Sequence, residues 1–326
     1  MMHFLILLAG LALILGGANC LTEGASAIAQ RLRVPEFIIG LTVVAIGTSM
    51  PELVISVLSA IRGNSDVAVG NVVGSNLFNT YVILGFCALL SPLALSGGNI
   101  RRDIPIGMGA SLLLLLCAAG RVVHPGGSDR ISRPEGIVMT MLYILLLVYT
   151  VRKTSREEAA RRHTAAVPAE TETGRPSAAA AAVRVAGGLA ALIGGGEIFL
   201  KGATELARQW GVSESVIALT LVAGGTSLPE LASSVISIAK GKSGLALGNA
   251  IGSNIANILL ILGLSATIRP LELGGITAID LLVMLLGSVL LFVSAFTFRK
   301  QMLDRWEGAI LLLIYIGYIG WLIRTN

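Results

Sequence analysis

Two glutamates stand in surroundings that give a carboxylate no partner. Glu52 closes the hexapeptide GTSMPE (Gly47 to Glu52), Glu230 closes GTSLPE (Gly225 to Glu230), and both hexapeptides lie in apolar stretches long enough to cross a bilayer. A carboxylate at the centre of a membrane helix costs about 3 kcal/mol or more to insert, so it marks a site by default. A structural glutamate would want an Arg or Lys beside it. The interiors of the apolar runs 36–60, 66–90, 213–239 and 244–268 contain neither.

Each glutamate comes with a device for breaking a helix. A proline cannot donate to the carbonyl four residues back, and a glycine there loosens the preceding turn. Gly47 with Pro51, and Gly225 with Pro229, therefore predict broken helices. Irregular backbone at membrane depth is tolerated where it is buried or lines a wet cavity. Freed carbonyls there, with the hydroxyls of Thr48, Ser49, Thr226 and Ser227 and the two carboxylates, are the oxygen ligands a hard cation takes. Glu52, Glu230, Thr48 and Thr226 are the foremost metal contacts in this reading.

The following apolar stretch carries GNVVGSNLFN (Gly70 to Asn79), which returns as GNAIGSNIAN (Gly248 to Asn257). Asn71, Ser75 and Asn79 recur every fourth residue and share one helical face. Gly70 and Gly74 at the same spacing suit close approach of another helix. A Ser or Thr in a membrane helix commonly bonds its own carbonyls, but the glutamates have no such local outlet. A pocket of carboxylates, amides, hydroxyls and carbonyls, without thiolate or imidazole, favours sodium, calcium or magnesium over zinc or copper.

The elements that position these residues are themselves repeated. An offset of 178 residues carries Leu41–Gly85 onto Leu219–Gly263 without a gap, with about 25 of 45 positions identical. The chain is 54% hydrophobic and 13% charged with a mean hydropathy of +0.83. Ten spans are expected, near 2–19, 36–60, 66–90, 104–120, 135–151, 181–199, 213–239, 244–268, 277–297 and 308–323. The fold class is thus an all-α polytopic membrane protein. Its first five-helix repeat is 1–151 (signature 40–85), and its second is 181–326 (signature 218–263), with 152–180 between them as a solvated linker. Five spans per repeat force the second copy to enter from the opposite side, the inverted-repeat layout of transporters.

Placing the linker inside also places Arg101, Arg102, Arg152, Lys153, Lys240, Lys242, Arg299 and Lys300 there, with both termini outside. The expected location is the plasma (inner) membrane, the linker being cytoplasmic. The first apolar run lacks a basic n-region, and its repeat partner lies mid-chain, so it reads as a span rather than a cleaved leader. Cys20, Cys87 and Cys117 have no metal-ligand spacing, and His3, His124 and His163 form no cluster. The net charge of +5 calls for no nucleic-acid partner. Membrane lipid is the expected partner, and a monomer the functional unit.

With these motifs in hand, the chain resembles the sodium/calcium exchangers of the cation/calcium antiporter superfamily, particularly their compact prokaryotic members. The resemblance implies antiport of Ca²⁺ against Na⁺ by alternating access, no cofactor, and an ion site built by four of ten helices. It also implies that the first span of each half slides across the rest. By motif position the family's ligands fall on Ala45 (carbonyl), Thr48, Ser49, Glu52, Ser75 and Asn79. In the second repeat they fall on Ala223 (carbonyl), Thr226, Ser227, Glu230, Ser253 and Asn257.

One position departs from that pattern: well-described members commonly carry aspartate in the place of Asn257. Two carboxylates neutralise one Ca²⁺, two Na⁺ or two H⁺, so two-for-one exchange stands level with three-sodium exchange, and protons compete with the metal ions. A proton- or potassium-linked exchanger is the alternative within transport. A membrane enzyme with Ser49 or Ser227 as nucleophile lacks a nearby His or Lys base. A channel would pass calcium without an opposing gradient.

Overall fold

Apolar runs that end at Ser, Gly or Pro become helices joined by tight connections. The computed structural model describes residues 2–118, 129–164, 177–210, 223–297 and 299–325. Its first half contains α1 (Met2–Leu32), α2 (Glu36–Thr48), α3 (Met50–Arg62), α4 (Ser65–Leu90), strand β1 (Leu93–Ala94), α5 (Ile104–Ala118), β2 (Arg130–Ile131) and α6 (Arg133–Thr164). The second contains α7 (Ala178–Gln209), a single turn α8 (Ala223–Gly225), α9 (Leu228–Ala239), α10 (Ser243–Ile268), β3 (Leu271–Glu272), α11 (Ala278–Ser294), β4 (Met302–Leu303) and α12 (Arg305–Thr325). A π-helical segment interrupts α4 at Phe78–Ile83 and α10 at Asn257–Leu262, nearly the same place in the repeat. Such bulges gather at functional sites.

Helices α1, α4, α6, α7, α10 and α12 are each long and apolar enough to span a membrane; α2 and α3, bent by 47° between them, make a seventh candidate. Helices α9 and α11 are shorter. Residues 119–120 and 213–222 of the expected spans lie outside the described residues. Three helices outrun their expected ends, α7 running to Gln209 rather than to residue 199. Helix α1 continues past residue 19 because Leu21, Ala25 and Ala29 bury themselves in the packing. Helix α6 continues past residue 151 to Thr164, through a run of Arg, Glu and Ala that favours helix.

Depth within the bundle follows composition. The apolar windows of α4 and α10 are 72% buried against 17–28% for α1, α6, α7 and α12, so the polar GSN-bearing helices form the centre. The outer helices expose Leu5, Leu8, Ile144, Leu145, Leu313 and Ile316, surface suited to lipid. Helices α1 and α7 pack antiparallel through glycines seven apart. A Cβ at Gly10, Gly17 or Gly24 would sit 2.4–3.0 Å from α7 atoms near Phe199, Leu192 and Val185 respectively.

Helix α10 presses equally hard on α2: a Cβ at Gly248 or Gly252 would come within 2.3 or 2.4 Å of the carbonyl oxygens of Phe37 and Leu41. At the repeat counterparts, a Cβ at Gly70 would meet Ile276 at 3.8 Å and one at Gly74 would meet nothing among the described residues within 4 Å. Two short antiparallel ladders cross between halves. Strand β1 pairs with β4 through Leu93 and Leu303, and β2 pairs with β3 through Arg130 and Glu272.

Candidate functional site

The helix break falls at serine rather than at proline. Ser49 ends α2 and opens α3 with φ −82° and ψ 9°; Ser227 opens α9 with φ −89° and ψ 7°. Pro51 and Pro229 therefore stand in the first turn of the new helix, where a missing N–H leaves no bond unmade. Gly47 and Gly225 do not loosen a turn. They lie in helical turns under α7, where a Cβ would meet the side chains of Leu189 and Leu200 at 2.6 and 2.9 Å.

Because α3 and α9 start at the serines, Glu52 and Glu230 fall in their first turns. The positive end of a helix dipole favours an anion there, and half-helix ends of this kind mark ion sites in transporters. Both glutamates are fully buried. Each is held by the other half of the chain: Ser49 Oγ donates to Glu230 Oε1 at 2.9 Å, and Ser227 Oγ donates to Glu52 Oε1 at 3.2 Å. Ser75 Oγ adds a second bond to Glu52 Oε1 at 3.2 Å. The hydroxyls of Thr48 and Ser253 also face Glu230.

The remaining expected ligands gather around this pair. Ala45 O receives the Ser49 amide at 3.1 Å, Thr48 Oγ1 at 3.4 Å and Ser253 Oγ at 3.5 Å. Ala223 begins the turn before the second break. Thr48, Ser49, Ser75, Asn79, Ser227, Ser253 and Asn257 are buried, whereas Thr226 is half-buried. Asn71 has another task than its helical face suggested. Its amide donates to Glu52 O at 3.2 Å and Ser56 Oγ at 2.9 Å, fastening α4 to the first turn of α3. Asn249 repeats this in the second half, donating to Glu230 O, Ser233 Oγ and Ser234 Oγ.

Asn76 and Asn254 escaped the sequence reasoning. Asn76 Oδ1 accepts from Asn257 Nδ2 at 3.0 Å, while its own amide donates to Asn254 O at 3.2 Å; Asn254 Nδ2 donates to Thr80 Oγ1 at 2.7 Å. The Asn76 contact engages the nitrogen of Asn257 and leaves the oxygen as its unbonded end. Recurrence of Gly-Ser-Asn at both repeat positions was the available signal.

Several buried atoms here have no hydrogen-bond partner among the described residues: Glu52 Oε2, Glu230 Oε2, Asn257 Oδ1 and both amide atoms of Asn79. No described ion pair reaches either glutamate. Unfilled oxygen valences beside two carboxylates suit a hard cation of the calcium or sodium class. No group of three or more His, Cys, Asp or Glu forms a metal cluster among the described residues.

The family model described as "Sodium/calcium exchanger protein" matches residues 2–152 and 180–324. The putative antiporter CaxA of Alkalimonas amylolytica is 37% identical over 320 residues, covering 96% of this chain and 96% of that protein. The inner membrane protein YrbG of Escherichia coli (strain K12) is 35% identical over 321 residues, covering 97% of this chain and 94% of that protein. Among solved structures, the sodium-calcium exchanger NCX_Mj superposes with a TM-score of 0.82 at 30% identity, over 98% of both chains. The chain belongs to the sodium/calcium exchanger protein family, whose members are membrane cation/calcium antiporters and not enzymes.

Proposed function

We propose that this protein exchanges Ca²⁺ for Na⁺ by alternating access, with the ions held at the membrane midplane between Glu52 and Glu230. The observation that carries the reading is the pair of buried carboxylates, each bonded to a serine of the opposite half and each keeping one oxygen unpartnered. Thr48, Ser49, Ser75, Asn79, Thr226, Ser227, Ser253 and Asn257, with the carbonyls of Ala45 and Ala223, complete the ligand set. Two carboxylates neutralise one Ca²⁺ or two Na⁺, so sodium ions entering overlapping positions displace calcium. An empty site with two facing carboxylates resists reorientation. Coupling needs no separate gate.

The rest of the reading follows from that site. Ten spans in two inverted repeats, 1–151 and 181–326, present the two breaks to each other from opposite sides. The 152–180 linker is cytoplasmic, both termini are outside, and the monomer in its lipid is the working unit. Protons compete with the metal ions for the carboxylates. Because Asn79 and Asn257 are both neutral, a proton- or potassium-linked exchange is the second reading.

The test is ⁴⁵Ca²⁺ uptake into proteoliposomes loaded with Na⁺, against vesicles loaded with K⁺ or choline, and then with an imposed proton gradient. Uptake that requires internal Na⁺ and disappears in Glu52→Gln supports sodium/calcium antiport. Uptake that ignores Na⁺ and follows the proton or K⁺ gradient replaces it with the second reading.

A further inference from the structure

A third carboxylate lies close to the site without belonging to it. Glu197 is in the middle of α7, an apolar helix long enough to span the membrane. It is exposed, and it has no hydrogen bond or ion pair to any described residue, Lys201 one turn further along included. The neighbouring contacts fix its level in the bundle. A Cβ at Gly196 would lie 4.0 Å from the Pro229 ring, and Leu200 packs over Gly225. Glu197 therefore stands at the depth of the second helix break.

It also shares a cavity with that break. A space of about 360 Å³ is bounded by Glu197 with Ile193 and Leu200 of α7, by Met50 and Pro51 of α3, and by Thr226. Thr226 is the half-buried member of the ligand set, whereas its counterpart Thr48 is fully buried. This is the side on which the ion ligands meet open space. The repeat offset puts Asn19 where Glu197 would have a twin, so the charge exists in one half only.

We propose that Glu197 is a second cation station, which holds Ca²⁺ or Na⁺ in this cavity before the ion passes Thr226 to the Glu52–Glu230 site. The inference rests on the antiport reading above. An unpaired carboxylate at membrane depth is expensive unless it serves an ion pathway. A cavity with apolar walls and one anionic group concentrates cations at that group, because its field is poorly screened there. Among the described residues that line the cavity, Glu197 alone carries a charge.

The experiment measures initial Na⁺-dependent ⁴⁵Ca²⁺ uptake in proteoliposomes over a range of external Ca²⁺. The wild-type protein tests the antiport reading independently: without Na⁺-dependent uptake, that reading fails before Glu197 is touched. Given wild-type exchange, Glu197→Gln should raise the half-saturating Ca²⁺ about tenfold, the low end for charge-lined clefts, while the maximal rate stays within about twofold. Glu197→Asp should restore most of the affinity, and Lys201→Gln should lower the half-saturating Ca²⁺. Unchanged half-saturation in Glu197→Gln overturns the proposal. So does a fall in maximal rate alone, equal in Glu197→Gln and Glu197→Asp, which is the signature of a structural role.

Discussion

Glu52→Gln separates a binding carboxylate from a structural one. Glutamine has the same volume and offers an oxygen to Ser75 and Ser227, both 3.2 Å from Glu52 Oε1, so the local hydrogen bonds survive. What is lost is one of two charges. A divalent ion about 4 Å from a carboxylate gains roughly 8 kcal/mol at an effective dielectric near 20. If the amide oxygen and water recover half of this, about 4 kcal/mol is lost, roughly 10³-fold in affinity. The assay is thermal unfolding of purified protein in detergent with and without Ca²⁺. At a Ca²⁺ concentration 100 times its Kd, binding stabilises the wild type by about 2.7 kcal/mol. For a chain of this size that is a rise of roughly 5 °C. After a 10³-fold loss of affinity the same Ca²⁺ stabilises by less than about 0.1 kcal/mol, and the rise disappears. Glu230→Gln should behave alike, because Ser49 holds Glu230 as Ser227 holds Glu52. A Ca²⁺-induced rise of half the wild-type size or more in Glu52→Gln refutes the assignment.

Other perturbations test neighbouring parts of the same reasoning. Ser49→Ala and Ser227→Ala each remove a hydrogen bond to a buried carboxylate, about 1.5–3 kcal/mol, so the half-saturating Ca²⁺ of exchange should rise roughly 10- to 100-fold in each. Asn257→Asp adds a third carboxylate and replaces the amide that donates to Asn76; reversal-potential measurements should then show more Na⁺ exchanged per Ca²⁺ than in the wild type. Acidification protonates carboxylates that must be charged to hold cations, so uptake should fall from pH 8 to pH 5, and a flat profile would count against proton competition. Gly17→Ala puts a Cβ 2.8 Å from the Leu192 amide, whereas Gly16→Ala meets nothing within 4 Å; the first should lower the unfolding temperature and the second should leave it unchanged. Burial raises the Asp103 carboxyl above its usual range despite the Arg102 ion pair. The protonated form is thus favoured by folding, and the advantage of Asp103→Asn in unfolding temperature should grow as pH rises from 5 to 8.

The glutamates were legible in the sequence because hydrophobic surroundings leave a charge no innocent explanation, and the 178-residue repeat then located Thr48, Ser49, Thr226 and Ser227 beside them. The long outer helices were legible as apolar runs. Less visible was anything set by contact between distant segments. Ser49 as the break point follows from where α2 stops and α3 begins, and proline, the residue with the strongest local rule, merely occupies the first turn. The extension of α1 to Leu32 depends on packing that no local hydropathy window registers. Gly47 and Gly225 looked like hinge residues, but they make room for Leu189 and Leu200 of α7. Asn76 and Asn254 differ from Asn79 and Asn257 only in which helical face they occupy, and that face is fixed by the packing of α4 against α10.

The exchange of serines between the halves bears on how coupling could arise without a gate. Glu52 belongs to the first half and takes a donor from the second, while Glu230 does the reverse. Neither carboxylate is therefore solvated by its own repeat alone. A relative shift of the two breaks would stretch both serine bonds together, leaving Glu52 with its Ser75 bond and taking the Ser49 donor from Glu230. A cation between them can replace the lost donors, since Glu52 Oε2 and Glu230 Oε2 are already free to bind it. On the proposed mechanism the loaded site can follow a shift that the empty site resists, and one Ca²⁺ or two Na⁺ satisfy the same two charges. Net movement of an empty carrier, which would dissipate the gradient, is then opposed by the same crossing bonds that hold the ligands in place.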